Sequence, residues 1–312
     1  MAEELTCRRA TLEDRQAVVN ILTAFGGRDY MPDQYSNMIQ DPYFVGVLGE
    51  LRGEVVAFAG AYVINGGTTM MTKGSRVKEG LQGRGIYGRL WRYLRDTIKD
   101  RAPGLKHEEF SCNTENPMFK VPESQRKYSE LYRTPINVYI LRREIISKLP
   151  SDPCIHVQEI GMDELRRILT DKDLSSILFP RRLVINWHVY FPIVENVDVI
   201  ASLEPYITRS LSPGRDKSSD LIIFGVWFQS TDHLAYNLDV YGDANNVECI
   251  VEHLKLHAFK AMAVSDGEIR FMVFAESKLL RPIDVACQQL HTIPGQFFST
   301  HCVAVVRDVE TE

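Results

Sequence analysis

The stretch LQGRGIYGRL, residues 81–90, decides the fold of this 312-residue chain. It contains three glycines and two arginines, and from Ile86 apolar residues recur with helical spacing at Leu90, Trp91, Leu94 and Ile98. A strand leading through such glycines into a helix leaves backbone N–H groups unpaired at the positive helix end. This arrangement binds pyrophosphate, because glycine lets a phosphate approach the amides. A plain helix start with glycines for turning is the alternative.

Two common phosphate motifs do not fit this stretch. The P-loop pattern GxxxxGK[ST] requires a lysine followed by serine or threonine, which is absent here. The dinucleotide pattern GxGxxG requires a parallel strand–helix–strand unit. The upstream strands instead predict an antiparallel meander, because their turns at Arg52-Gly53 and Asn65-Gly66-Gly67 are short and typical of hairpins.

The order of elements predicts an α/β (α+β) chain with two domains. The first part reads, in chain order, as a helix over about 12–25, a short helix entered at Pro32, strands from Tyr43, Glu54 and Thr68, the glycine-led helix to about Asp100, a strand from His107, a helix over 124–132 and a strand over 136–142. The second part reads as helices within 162–191, strands from Leu221 and His233, a helix over 246–263, a strand over 269–275, a helix over 280–289 and a strand over 301–307.

A linker and a repeat complete this organisation. The segment SKLPSDPC, residues 147–154, has two prolines around small polar residues, which predicts a boundary between domains 1–149 and 150–312. The order strand, strand, helix, strand, helix, strand occurs in both parts. We therefore expect a duplication.

The residues SRVKEGLQGRGIYGRL, 75–90, in this order of elements resemble the GCN5-related N-acetyltransferase (GNAT) superfamily over about residues 5–142. Its [QR]xxGx[GA] signature matches at Gln82 and Gly85, but Tyr87 replaces the small last residue and Gly88 follows one position late. Together with FGGRDYMPDQY, from Phe25, the stretch resembles the vertebrate histidine N-acetyltransferase and its mammalian relatives. The resemblance implies a mixed, centrally splayed GNAT sheet flanked by helices, followed by a degenerate GNAT-like domain.

The resemblance implies acetyl-coenzyme A as co-substrate and no metal. The implied cofactor contacts are Arg76, Val77, Lys78, Gln82, Gly83, Arg84, Gly85, Ile86, Tyr87, Gly88, Asn113 and Asn116. The first three are strand residues that pair with the pantetheine arm and polarise the thioester, near a bulge expected at Gly74. For the two asparagines, a turn role is the alternative.

The catalytic and acceptor residues are also implied by the resemblance. Tyr132 lies where the superfamily's tyrosine protonates the leaving thiolate, although a core tyrosine is the alternative. Glu108 and Glu109 alternate on one strand, so one of them can face the cleft as base; both can instead be surface charges. The implied acceptor pocket contains Asp29, Tyr30 and Tyr35, with a solvated loop aspartate as the alternative for Asp29.

The second half lacks comparable phosphate-binding features. YGDANNVE, 241–248, puts two carboxylates and one glycine at the equivalent turn, and carboxylates repel pyrophosphate. We expect a non-catalytic domain that closes the acceptor pocket or stabilises the first. Trp187 and His188 are expected in its core, with a position in the cleft as the alternative, and SPGRDKSSD, from Ser212, is expected to be a mobile loop. His253 and His257 share a helix face, but no third ligand accompanies them, which disfavours a metal.

Composition restricts the function further. The net charge of -5 and pI near 6.0 do not favour nucleic acid or membrane partners, and the charged start predicts a cytoplasmic location. The six cysteines include no CxxC pair, which speaks against zinc and disulfides. A monomer or homodimer is expected.

The predicted reaction transfers acetyl to the α-amine of a small, histidine-like amino acid by direct amine attack on the thioester. An α-amine with a pKa of about 8 is roughly a tenth neutral at pH 7, so it needs little help from a base. A protein N-terminal acetyltransferase and a non-catalytic regulator that binds coenzyme A are the alternatives.

Overall fold

The computed structural model describes residues 4–22, 29–120, 122, 127–149, 154, 157–210, 220–243, 247–297 and 299–309. The chain forms two compact units: Met1–Phe110 with Val306–Glu312, and Ser111–Val305. This division differs from the boundary expected at 149/150, because the strand that precedes that boundary belongs to the second unit. Domain limits at 1–149 and 150–312 stay a prediction.

The first unit is built on a sheet whose strands pair in chain order. They are β1 Thr6–Arg9, β2 Phe44–Leu51, β3 Glu54–Ile64, β4 Thr69–Val77 and β5 His107–Asn113, of which β5 continues into the second unit. The first four are antiparallel and β4–β5 is parallel, which confirms the predicted meander. Arg52 and Gly53 have φ of 53° and 80°, so both lie in the left-handed region that a two-residue hairpin turn requires.

Helices cover both faces of this sheet. They are a short 3-10 helix Leu12–Asp14, α1 Arg15–Val19, α2 Met31–Gln40 and α3 Ile86–Lys99. The helix predicted over 12–25 is wrong in length, because Asn20 caps α1 by donating its N–H to the Gln16 carbonyl. Residues 23–28 lie outside the described part.

The strand alternation separates two apolar faces. Val45, Ala57 and Met70 pack with Leu90 of α3 in one core cluster. On the opposite face, the ring of Tyr35 in α2 lies 6.0 Å from that of Phe58. Successive side chains of β4 and β5 therefore point alternately to the face of the sheet that packs against α3 and to the face that packs against α2. We call these the α3 face and the α2 face.

The second unit contains a second sheet and a separate hairpin. Its strands are β6 Ser129–Leu141, β7 Val157–Ile160, β8 Leu183–Ile185, β9 His188–Tyr190, β10 Tyr206–Ser210, β11 Leu221–Gln229, β12 His233–Gly242, β13 Glu268–Ala275, β14 Ile293–Pro294 and β15 His301–Asp308, the last three residues of β15 belonging to the first unit. The sheet order is β15-β6-β13-β12-β11-β10-β7, with β14 beside β6, while β8 pairs with β9.

Two predicted helices of this part are corrected. The segment 183–190, placed within a helical region, forms the β8–β9 hairpin, since Val, Ile and Tyr favour strands. The helix predicted over 124–132 is wrong at Ser129–Tyr132, which begins β6, and residues 123–126 lie outside the described part. The helices observed are α4 Arg143–Ile146, α5 Met162–Thr170, α6 Lys172–Leu178, a 3-10 helix Val194–Asn196, α7 Val197–Ala201, α8 Val247–Val264 and α9 Ser277–Gln289.

The two units repeat one pairing pattern. In the first, β1 to β5 form three antiparallel pairs and then a parallel pair across α3. In the second, β7, β10, β11, β12 and β13 do the same across α8. Within the described residues, no helix combines the length and apolar character needed to cross a membrane.

Candidate active site

Strand β4 carries a bulge near its end. Phe58 lies opposite Arg76 and Gly60 opposite Lys73, so Ala59 alone faces the two residues Gly74 and Ser75. Gly74 adopts φ of 78°, which glycine tolerates best, and the bulge expected there is confirmed.

The same region of β4 separates from β5. Their register covers only the pairs of Thr69–Met71 with His107–Glu109, whereas β4 continues to Val77 and β5 to Asn113. The backbone of β4 at Arg76 and Val77 consequently lies along a strand edge that β5 does not pair with, where another extended chain can form hydrogen bonds. The centrally splayed sheet of the predicted fold is confirmed.

A glycine-lined turn leads from β4 into α3. Gly80, Gly83 and Gly85 have φ of 79°, 76° and 74°, and Gly85 is the residue that caps the helix. A Cβ added at Gly83, Gly85 or Gly88 would meet no atom within 4 Å, so the space beside these amides is open. The amides of the first helical turn have no intrahelical acceptor and lie at the positive end of the helix dipole. We call residues 83–88 the glycine cradle.

Side chains around the cradle hold its ends in place. Gln82 Nε2 donates to the Val77 carbonyl at 3.2 Å, and Lys78 pairs with Glu54 at the surface. The hydroxyls of Tyr87 and Ser75 are 3.4 Å apart. The Tyr87 residue is 37% exposed, but burial of its hydroxyl end raises its pKa to about 12, with the Ser75 contact acting in the opposite direction. Arg84 is exposed, so it can approach an anion.

Glu108 is buried on the α3 face in a charged cluster. Its Oε1 accepts from Trp91 Nε1 at 2.8 Å and its Oε2 accepts from Arg307 Nε at 2.6 Å. The Arg307 guanidinium also lies 4.4 Å from the centroid of the Trp91 ring. With both oxygens bonded and an ion pair to Arg307, Glu108 serves the structure between α3 and β5 rather than proton transfer.

Glu109 lies at the last pair of β4 and β5, opposite Met71. It is 1% exposed. Strand alternation puts it on the α2 face, across the sheet from Glu108. Of the two adjacent carboxylates, Glu109 is therefore the one at the point where the strands diverge on the α2 face.

The three predicted acceptor residues have different positions. Asp29 pairs with the Arg76 guanidinium through two hydrogen bonds of 2.7 and 3.2 Å. Burial raises the pKa of the Tyr30 hydroxyl, with Arg76 opposing and Asp29 reinforcing the shift. Tyr35 is fully buried, and its hydroxyl donates to the Thr11 carbonyl at 2.7 Å. Tyr35 is thus a core residue, whereas Asp29 and Tyr30 adjoin the β4 bulge.

Three other predicted residues lie in the second unit. Tyr132 is 8% exposed and packs with Val184, Val189 and Ala304, and burial raises its pKa to about 12. Asn113 and Asn116 form a turn: Asn113 Oδ1 accepts from the Glu115 amide at 2.9 Å, and the Asn116 amide donates to the Asn113 carbonyl at 3.1 Å.

The second unit has no matching strand separation among its described residues. β11 and β12 pair in continuous register, and β12 pairs with β13 through eight residues, from His233 to Val240. Asp243, at the turn equivalent to the glycine cradle, has its Oδ2 3.7 Å from Lys278 Nζ. Residues 244–246 and 211–219 lie outside the described part. Trp187 packs edge-on against Phe274 at 5.1 Å between ring centroids, and His188 is buried, as expected for core residues.

His253 and His257 are buried and share Thr208 as a hydrogen-bond partner. Thr208 Oγ1 lies 2.7 Å from His253 Nδ1 and 3.0 Å from His257 Nε2. Burial lowers the pKa of both rings, that of His253 to about 3. Across the described part of the chain, no group of three His, Cys, Asp or Glu side chains is arranged to hold a metal.

Trp91 and Arg307 are site-adjacent residues that sequence reasoning missed. Trp91 was assigned to the apolar face of its helix, but its indole N–H also binds Glu108. Arg307 lies 199 positions from Glu108 in the chain. Nothing local in the sequence indicates a pairing over that distance, and only the return of β15 to the first unit brings it about.

Comparison with known proteins finds similarity to histidine N-acetyltransferases. The family described as "Histidine N-acetyltransferase, C-terminal" matches residues 153–276. The histidine N-acetyltransferase of Oreochromis niloticus is 29% identical over 139 residues, 45% of this chain and 38% of the relative, so that alignment spans well under half of the relative's length. That of Scomber australasicus is 21% identical over 285 residues, 85% of this chain and 82% of the relative.

Solved structures resemble the chain over nearly its whole length, as one example shows. A tandem GNAT protein from the clavulanic acid biosynthesis pathway has a TM-score of 0.59 at 11% identity, covering 99% of this chain and 100% of that one. At this identity the likeness concerns the fold, and it agrees with the pairing pattern that both units share.

Proposed function

We propose, from the premise that the chain belongs to the GCN5-related N-acetyltransferase superfamily, that it is an N-acetyltransferase that uses acetyl-coenzyme A. The observation that carries the proposal is the combination of the glycine cradle with a bulged β4 that separates from β5. The amides of the glycine cradle can bind a diphosphate, and the open edge of β4 can form hydrogen bonds with a pantetheine arm.

Different residues bind different parts of the cofactor. Amides of residues 83–88 hold the diphosphate, with Arg84 adding charge, and the open edge of Arg76, Val77 and Lys78 pairs with the pantetheine amides. Asn113 and Asn116 remain proposed contacts on the basis of the resemblance. No metal takes part in this scheme.

The reaction is acyl transfer to an amine. The nitrogen lone pair attacks the thioester carbonyl carbon, a C–N bond forms, and the C–S bond breaks to release coenzyme A as thiolate. The amine loses one proton, for which Glu109 is the acceptor, directly or through water, and the thiolate gains one, for which the resemblance implies Tyr132. Backbone N–H groups at the β4 bulge stabilise the developing oxyanion.

The acceptor is the α-amine of a free, histidine-like amino acid. This choice rests on the two relatives named histidine N-acetyltransferase. About a tenth of an α-amine is neutral at pH 7, so a weak base such as the Glu109 carboxylate is enough to take up the proton of the amine. A protein N-terminus as acceptor, or cofactor binding without catalysis, would each give a distinct result in the following experiment.

The test follows thiol release from acetyl-coenzyme A with a panel of free amino acids and with peptides. We expect histidine to accelerate release, and Glu109→Gln to lower kcat about 100-fold at pH 7. This deficit should shrink as the pH rises past about 8, because the amine is then neutral without a base. The matched control is Glu13→Gln, which neutralises an exposed carboxylate.

Three outcomes would contradict the proposal in different ways. Release that only peptides accelerate would indicate a protein acceptor. Tight cofactor binding without release would indicate a regulator. An unchanged kcat in Glu109→Gln would remove this residue from proton transfer.

A further inference from the structure

The start of α2 is fastened to the β4 bulge by an ion pair. Arg76 Nη1 donates to Asp29 Oδ2 at 2.7 Å and Arg76 Nη2 donates to Asp29 Oδ1 at 3.2 Å. The Met31 amide donates to the same Oδ1 at 3.0 Å. The side chains of Arg76 and Asp29 are 4% and 10% exposed, so this Asp29–Arg76 clamp is sheltered from solvent.

The clamp sets which atoms rest against the bulge. A Cβ at Gly74 would lie 2.7 Å from Met31 Cε and 3.6 Å from the Tyr30 hydroxyl, so these two side chains already occupy the space beside it. The Lys73 ammonium lies 5.2 Å from the centroid of the Tyr30 ring. Residues 29–31 therefore enclose the bulge on the α2 face. The side chain of Arg76, the residue after the bulge, connects them to β4.

The charge balance argues against Asp29 as a binder of the acceptor's ammonium. Both of its oxygens already accept hydrogen bonds, and Arg76 neutralises its charge. A bidentate pair with arginine is directional as well as strong, which suits a role in fixing backbone position.

We infer that the Asp29–Arg76 clamp is a positioning pair that holds the bulge backbone of residues 74–76 in the geometry for acetyl transfer. This inference rests on the proposed function, in which that backbone polarises the thioester. The glycine cradle, which lies outside the clamp, supplies the affinity for the diphosphate of coenzyme A. Loss of the clamp should consequently lower kcat while the affinity for a diphosphate is kept.

The test replaces both charges at once with Asp29→Leu/Arg76→Met. Removing one partner alone would leave an unpaired buried charge and endanger the fold, whereas an apolar pair of similar volume commonly preserves it. We expect kcat to fall at least about tenfold, since small displacements of reacting groups are costly. The dissociation constant of ADP, which carries a diphosphate but no pantetheine arm, should stay within about twofold of its value in the unaltered protein, because the contacts of the cradle are unchanged. Arg76→Lys, which keeps the charge and loses the planar fork, should be intermediate.

A second readout does not depend on catalysis. Amide hydrogen exchange over residues 72–78 should accelerate in the double variant and stay unchanged over α3. Asp266→Asn, which breaks an exposed ion pair with Arg143 in the second unit, is the control and should change neither measurement.

The outcomes separate this inference from the proposed function. An unaltered protein that releases no thiol with any amine would defeat the proposed function, and the exchange measurement alone would then decide whether the clamp holds the bulge. Wild-type kcat in the double variant, equal loss of kcat and ADP affinity, or unchanged exchange over 72–78 would each overturn the positioning role.

Discussion

The parallel strand pairs at the centres of the two units differ in how far they stay together. In the first unit β4 and β5 pair over Thr69–Met71 and then diverge beside a bulge. In the second, β12 and β13 pair from His233 to Val240, and β12 meets β11 in unbroken register. One pairing pattern thus produces an open strand edge in one unit and a closed sheet in the other.

The difference shows that the fold alone does not make the site. One extra residue in β4 bends the strand. Glycines with positive φ then place amides beside open space at the start of α3. In the second unit, which has no such bulge in β12, the backbone of β12 pairs with β11 on one side and with β13 from His233 to Val240 on the other. These residues therefore offer no free strand edge to an extended ligand. The bulge and the cradle are therefore the features to break.

The largest effect is expected from Gly85→Leu. The side chain would project into the open cradle and separate a diphosphate from two or more amides, each charge-assisted bond contributing about 1.5–3 kcal/mol. Affinity for coenzyme A should fall about 1000-fold, while the left-handed φ costs about 1–2 kcal/mol of stability. Calorimetric titration should show one equivalent of coenzyme A per unaltered chain and none for the variant at the same concentrations.

Gly161→Leu is the matched control for this substitution. Gly161 caps α5 in the second unit with φ of -95°, and no atom lies within 4 Å of its added Cβ. Its substitution should leave titration unchanged. Two equivalents bound by the unaltered chain, or equal effects of both substitutions, would contradict the assignment of cofactor binding to the first unit.

A smaller loss is expected from deleting Gly74, which makes β4 resemble β12. Residues on both sides keep their partners on β3, because one residue would then face Ala59. Without the bend, the backbone donor for the oxyanion should be misplaced, and kcat should fall about 100-fold. The measurement is kcat together with the far-ultraviolet circular dichroism spectrum, which should keep its shape. A deletion variant with normal kcat would show that the bulge is dispensable.

The sequence predicted what depends on local chemistry. Glycines at 83 and 85 mark the turn before α3, and the short turns at Arg52-Gly53 and Asn65-Gly66-Gly67 mark the antiparallel strands. These signals lie within a few residues of the structure that they specify. Resemblance added the fold, the bulge at Gly74 and the expectation of acetyl-coenzyme A.

The rest depends on contacts that no local pattern carries. Glu108 and Glu109 are indistinguishable in sequence, and only Trp91 and Arg307 show which one is held by the structure. The sequence places Asp29 in the acceptor pocket or in a solvated loop, and neither alternative contains its pairing with Arg76, 47 positions away. The 183–190 hairpin was missed because a short apolar run fits helix or strand equally well.

The smallest effect concerns the buried polar groups of the second unit, which serve its own core. Next to Thr208, His253 also approaches Ser210 Oγ at 3.1 Å, and His257 approaches the Tyr236 hydroxyl at 3.1 Å. Burial lowers the pKa of His253 to about 3, so the folded state keeps this ring neutral while the unfolded chain takes up a proton below about pH 6.5. Stability must then decrease as the pH falls from about 6.5 towards 3, by about 2 kcal/mol for this residue between pH 7 and pH 5.

Urea unfolding at both pH values should show a loss about 2 kcal/mol smaller in His253→Gln than in the unaltered protein. Carboxylates that titrate over the same range cancel in that difference, and His291→Asn, at an exposed turn with positive φ that asparagine tolerates, should behave like the unaltered protein. Equal losses in all three proteins would mean that His253 does not stay neutral in the folded state, and the second unit would then hold a group able to carry charge inside its core.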